Sequence, residues 1–331
     1  MRWAVRAAGG LIVILLLAGI AAYFGERAYE AAGPLLDAKL VVIPKGADAR
    51  EIGAVLAENG VVANGTLFAA GSYVTGRAAS FKAGEYEFAT GVSPAGAADL
   101  IASGKVYRHK LTIPEGLTSA QIVALLDAAP ALDGAIEAEP PEGSLLPDTY
   151  FYVMGNTRQE LLERMHRAMT KALAESWAKR APNLPLASPA EAVTLASIIE
   201  KETAKAEERP RIAGVFLERL KLGMKLQADP TVIYVLTKGG AVPLPHPLGH
   251  DDLAIESPYN TYLDKGLPPT PIDNPGIAAL KAALQPDDRG ELYFVADGSG
   301  GHAFAKTLDE HNKNVAKLRA TQSGQTAPNG G

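Results

Sequence analysis

Residues 7–24 form an unbroken apolar run, AAGGLIVILLLAGIAAYF, with Arg2 and Arg6 before it and Glu26 and Arg27 after it. At about 1.5 Å rise per residue, a helix of that length just crosses a hydrocarbon core of roughly 30 Å. The run is therefore expected to be a single transmembrane helix. The leading arginines put residues 1–6 in the cytoplasm and everything after the span outside it. A cleaved export signal, cut among the small residues between Ala18 and Ala22, is the alternative, and either reading exports the rest of the chain.

Past a juxtamembrane linker over residues 25–38, a pattern recurs. VVIPKGADAREIGAVLAENG (41–60) and LTIPEGLTSAQIVALLDAAP (111–130) each read as a strand, a Pro-x-Gly turn and a helix. Ile43, Pro44, Gly46, Ile52 and Leu56 in the first match Ile113, Pro114, Gly116, Ile122 and Leu126 in the second. Asp48 and Thr118 are placed to cap the two helices, and each Ile–Leu pair falls four apart on one apolar face. A weaker third copy starts at Tyr86 and continues through Ser93-Pro94, a helix start. The period is too irregular for a solenoid.

From Glu142 the texture turns helical. Periodicity predicts helices over 159–181, with Thr157 before it as a cap, over 188–206, and over 210–222, closed by Gly223. Residues 239–273 are rich in Pro and Gly, the texture of a site built from loops on a helical scaffold. A helix around Leu280–Leu284, a short buried strand at 292–295 and a closing helix over 308–318 follow. The tail, 320–331, is expected to be disordered.

Composition narrows the chemistry. With 331 residues the chain has room for about two domains of roughly 100–200 residues. A net charge of −5 gives no basic footprint, which argues against a nucleic-acid partner. The absence of cysteine excludes disulfides, thiolate metal sites and a cysteine nucleophile. His246 and His250 are four apart, but prolines flank the first, so no helix aligns them as metal ligands; His302 and His311 lack a third partner. No phosphate loop or serine elbow is present. No metal and no cofactor are expected.

One segment carries the chemistry. On a helix, Leu195, Ile198, Ile199 and Glu202 of TLASIIEKETA (194–204) share a stripe, so Glu202 interrupts an apolar face, while Glu200 lies well round from it. Desolvation raises the pKa of such a carboxyl, which suits it to general acid work near neutral pH. A structural ion pair with Arg209, Arg211 or Lys225 is the competing reading, and Glu200 is the fallback acid.

Several blocks resemble the endolytic murein transglycosylase family: SIIEKETA (197–204), ERPRIAGVFLERLKLGMKLQADPTVIY (208–234), SPYNTY (257–262), GLPPTPIDNPG (266–276) and YFVADGSGGHAF (293–304). The resemblance runs from the span to about His311. It implies a family catalytic glutamate at Glu202 and an α+β ectodomain on one membrane helix, with a LysM-like module over 39–109 and a mainly helical catalytic domain with a short sheet over 110–319. LysM-like units have a strand–helix–helix–strand plan and bind N-acetylglucosamine-containing glycans; a plain spacer is the other reading of this module. The implied activity is lytic cleavage of the β-1,4 bond between N-acetylmuramic acid and N-acetylglucosamine in peptidoglycan, at the outer face of the inner membrane, beside membrane glycan polymerases. A hydrolytic muramidase and a non-catalytic glycan-binding scaffold are the rivals.

Gln227, Asp229, Tyr234, Tyr259, Asn260 and Tyr262 in these blocks, and Asp148 in PDTYFY, suit a glycan cleft through hydrogen bonds and aromatic faces. Their ordinary alternatives are a helix cap for Asp229, a turn for Asp148 and core packing for the tyrosines. The chain departs from the family before Pro147: Glu142-Gly143-Ser144-Leu145-Leu146 stands where aromatics are usual, which bears on substrate affinity.

Overall fold

The computed structural model describes residues 2–325. It is α+β: eleven helices and three separate two-stranded pairings among the described residues, with an apolar N-terminal helix. Two compact units divide the chain. One takes the residues up to His109 together with Phe151–Gly155; the other takes Lys110–Tyr150 and the residues from Asn156 onward.

The first unit opens with α1 (Arg2–Glu30), whose Gly9–Glu30 stretch is long and apolar enough to cross a membrane, with none of its most apolar part buried by the protein. After it come β1 (Lys39–Ile43), α2 (Ala49–Glu58), α3 (Gly65–Val74), a 3₁₀ turn at Arg77–Ser80, β2 (Gly84–Phe88) and α4 (Pro94–Ser103). β1 pairs antiparallel with β2, Val41 facing Tyr86. Asp48 caps α2 in a reciprocal box with Glu51, and Ser93 caps α4, as the sequence suggests. Ile43, Ile52, Leu56, Phe68, Tyr86, Phe88 and Ile101 form one core. α3 is missed by periodicity: GTLFAAGSYV has no charged face to set off its apolar one.

The second unit is a helical bundle. It begins within the strand β3 (His109–Thr112) and leaves within the strand β4 (Thr149–Tyr152), and between them α5 (Ser119–Ala128) is capped by Thr118 in a box with Gln121. Then come α6 (Arg158–Ala178), boxed by Thr157 and Glu160, α7 (Pro189–Glu202), α8 (Arg209–Lys221), α9 (Asp229–Leu236), a 3₁₀ turn at Asp251–Ala254 and α10 (Ile277–Leu284). The chain closes with the antiparallel hairpin of β5 (Tyr293–Ala296) and β6 (His302–Ala305), followed by α11 (Leu308–Gln325).

α7 is the axis of this bundle. α6, α8, α9 and α10 all pack against it, and every residue from Ala192 to Ile199 is buried. A helix apolar all round belongs at the centre of a core. The stripe argument sets Glu200 apart from the apolar face, whereas its side chain is itself only 5% exposed. Three further expectations change. α7 ends at Glu202 rather than 206, because Thr203 turns extended (φ −145°, ψ 135°). β5 is half-buried rather than buried. The tail expected to be disordered is helical through Gln325, and residues 326–331 lie outside the described residues.

Tight packing at α2 and α3 yields a test. A Cβ at Gly53 would sit 2.3 Å from the Gly65 carbonyl oxygen, and backbone cannot yield as a flexible side chain can. Gly53→Ala should lower stability by about 1–3 kcal/mol, read as a lower melting temperature. An unchanged melt would show that the two helices separate freely.

Candidate active site

Glu202 is the last helical residue of α7, at the negative pole of the helix dipole, where a carboxylate is disfavoured. Its side chain is largely enclosed, and its pKa is pushed up to about 8: burial is the main cause, the nearby Asp229 charge adds to it, and the Arg219 guanidinium opposes it. Among the described residues no hydrogen bond or ion pair holds this carboxyl. Two of the three candidate partners are engaged elsewhere. Arg209 pairs with Glu200 at 2.7 Å and Arg211 with Glu291 at 2.5 Å. Glu200 is the structural carboxylate of the two: it also accepts the Gly276 amide at 2.9 Å, and its side chain is only 5% exposed.

Arg219 is the cation near Glu202, and it is not free to form a tight pair. Its Nε donates to the Leu292 carbonyl at 2.7 Å and its Nη1 to the Leu226 carbonyl at 2.6 Å, with the Tyr293 ring 5.3 Å away. Sequence reading passed over Arg219, although the signal that singles out Glu202 is there as well. Ile212, Phe216 and Arg219 share a buried face of α8.

Loops bring the other groups to α7. Asn260, buried, donates to the carbonyls of Leu253 and Ile255 and accepts the Tyr262 amide at 2.9 Å, folding the 257–262 segment on itself. Thr261 then fastens that segment to the start of α9: its Oγ1 accepts the Ala228 amide at 3.0 Å and its carbonyl accepts that of Gln227 at 3.1 Å. The result sets the Tyr262 hydroxyl on Asp229 Oδ1 at 2.5 Å. Asp229 caps nothing: Ala228 is the N-cap, and no side chain caps α9. Burial, foremost, and the Asp229 hydrogen bond raise the Tyr262 pKa, so the phenol remains a donor. A second tether docks residues 272–276, with the Ile272 amide on Ser197 Oγ at 3.0 Å.

Of the residues singled out in the sequence, Glu202, Asp229 and Tyr262 thus come together, with Arg219. Tyr234 and Tyr259 form a second group, their rings 5.0 Å apart, beside an open cleft of about 540 Å³ also lined by Glu142, Ser257 and Lys238. Tyr234 also borders a cleft of about 370 Å³ lined by Lys201, Thr118 and Ile272. Glu142 was not foreseen in this role; its pKa is pushed up to about 7, by burial first. Gln227 is exposed, in a left-handed backbone (φ 53°). Asp148 lies in neither group: it is an exposed turn residue whose Oδ1 accepts the Thr149 amide at 2.6 Å. Leu145 and Leu146, where the family carries aromatics, point into the core.

The YceG-like family profile matches residues 41–317. The chain is 32% identical over 313 residues to the endolytic murein transglycosylase of Bacillus subtilis, covering 85% of each protein. It is 29% identical over 357 residues to the enzyme of that name from Streptococcus pneumoniae, covering 92% of this chain and 64% of the relative. Among solved structures, a yceG-like protein of Listeria monocytogenes matches with a TM-score of 0.51 and 30% identity, over 84% of this chain and 99% of the other.

The burial of Glu202 has a thermodynamic signature. Its folded-state pKa of about 8 lies above the free value of 4.5, so the folded chain keeps a proton that the unfolded chain releases. Stability is therefore lost as pH rises between those values. Glu202→Gln should match the parent near pH 4 and exceed it at pH 8 by about 2–4 kcal/mol, reduced from the full pKa difference by residual solvent contact. Denaturation curves across that range measure it; parallel pH profiles for the two proteins would contradict the burial.

Proposed function

Because the chain belongs to the YceG-like family, we propose that it is an endolytic murein transglycosylase that uses Glu202 as its only acid and base. The observation that carries this reading is the Glu202 carboxyl, unpaired and held protonated near neutral pH at the end of a buried helix. A protonated acid can donate to the glycosidic oxygen between N-acetylmuramic acid and N-acetylglucosamine as the C1–O bond breaks. The carboxylate left behind then accepts the proton of the muramyl primary hydroxyl as that oxygen bonds to C1, giving a 1,6-anhydro end. No water is consumed, and Glu202 ends protonated as it began.

An attacking hydroxyl already tethered to the sugar has a high effective molarity, which removes the need for a second activating base. Arg219 suits the middle of this cycle: with its donors on backbone carbonyls, it attracts the transient carboxylate without pairing to the resting acid. Tyr262, Asp229 and Gln227 are proposed to bind the sugars at the bond cut, and Tyr234 and Tyr259 to face sugar rings along the strand.

On the same reading α1 is a single-pass inner-membrane anchor, with Arg2 and Arg6 on the cytoplasmic side and both units outside, near membrane glycan polymerases. Residues 39–109 would be the LysM-like module; the order β1, α2, α3, β2 supports that plan.

A specific observation keeps a second reading in play. Asp229 has no capping role, and its charge acts on Glu202, so the pair could run hydrolysis as acid and nucleophile or base. Product ends separate the two. Digestion of purified glycan strands should yield anhydro ends, one water lighter than reducing ends by mass spectrometry, and Glu202→Gln should cut the rate by about 10²–10⁴-fold. Reducing ends as the primary product would give the chemistry to Asp229 and water.

A further inference from the structure

α1 does not stop at the end of its apolar run. It continues as helix from Phe24 to Glu30, and the added turn is gripped by the first unit. Tyr29 is 5% exposed, its hydroxyl 3.3 Å from Ser72 Oγ. Its ring lies where a Cβ on Gly71 would come within 2.4 Å, so α3 approaches α1 closely only because residue 71 is glycine. Both α3 and α4 pack on α1. The anchor helix and the unit that follows it are joined by packing as well as by the chain.

That junction fixes a height. Tyr29 lies five residues beyond Phe24, about 7.5 Å along the axis, against an interfacial zone of roughly 5–8 Å outside the hydrocarbon core. Helical side chains tilt toward the helix N-terminus, here toward the bilayer, so the Tyr29 ring and the α3 residues around it sit lower still.

The residues that follow the junction on α3 are Tyr73, 53% exposed, and Val74, 88% exposed. Nothing in the first unit packs on Val74 to explain an apolar side chain there. The tip carries little loose polarity: the Thr75 hydroxyl donates to the Gly71 carbonyl at 2.7 Å, the Gly76 amide to that of Tyr73 at 3.1 Å, and Arg77 is paired with Asp99 at 2.5 Å. A capped, charge-neutralised helix end with Tyr and Val outermost has the composition of an interfacial contact.

We propose that the C-terminal tip of α3, Tyr73 and Val74, is a second membrane contact that rests in the headgroup layer of the bilayer spanned by α1. It would hold the first unit at a fixed height and tilt on the membrane surface. This rests on the reading of α1 as a membrane anchor.

The chain has no cysteine, so single probes can be placed cleanly. Full-length Phe24→Cys and Val74→Cys, each carrying an environment-sensitive fluorophore, are reconstituted in phosphatidylglycerol–phosphatidylethanolamine vesicles with nitroxide lipids labelled at the headgroup or deep in the acyl chain. The Phe24 probe, at the edge of the hydrocarbon core, should lose emission to the lipid nitroxides. The Val74 probe should lose emission to the headgroup nitroxide and be shielded from aqueous iodide. A quenched Phe24 probe beside a Val74 probe open to iodide and untouched by either lipid would overturn the contact alone. A Phe24 probe that neither lipid quenches would overturn the anchor itself, and the contact with it.

Discussion

The site depends on one unfavourable placement: a carboxyl at the C-terminal end of a helix whose middle, Ala192–Ile199, is wholly buried, with no cation hydrogen-bonded to it. α7 can be apolar all round only because four other helices enclose it, and that enclosure is what desolvates Glu202. An ionised carboxylate there costs several kcal/mol, so the group keeps its proton well above the usual carboxylate range. Stability is given up wherever that group ionises.

The surrounding charges are arranged so that this acid is not neutralised. Four basic residues are committed elsewhere: Arg209 to Glu200, Arg211 to Glu291, Lys201 to the Gly116 carbonyl at 2.9 Å and Arg219 to backbone carbonyls. Glu200, two residues away in the same helix, shows what pairing does. It accepts two hydrogen bonds and ties α7 to α8 and to the start of α10, a structural task. One helix therefore carries two buried carboxyl groups, both pushed above the ordinary carboxylate range by burial, of which Glu200 is held by a guanidinium and an amide and Glu202 is not.

Much of the fold was legible because it is written in local rules. Asp48, Ser93, Thr118 and Thr157 cap the helices they precede, and the Ile–Leu pairs face the cores. What was not legible depends on tertiary contact. α3 and the short strands β4 and β6 carry no periodic signature of their own. The end of α7 is set by Thr203 bonding to Glu208 at 3.3 Å and to the Lys205 amide at 3.0 Å, which periodicity cannot register. The choice of Glu202 over Glu200 rested on a helical stripe and on the family resemblance, whereas in the structure the two differ by partner. The pairing of Tyr262 with Asp229 needed the fold of the 257–262 loop, which only Asn260 and Thr261 in place can supply.

Burial of this degree should leave the Glu202 carboxyl protonated at neutral pH. A titration of side-chain carboxyl carbons by NMR, on chain labelled at glutamate and assigned by its loss in Glu202→Gln, tests this directly. The account predicts a Glu202 midpoint near pH 8, with the carboxyl protonated at pH 7. A midpoint in the ordinary glutamate range, about 4–5, would contradict it.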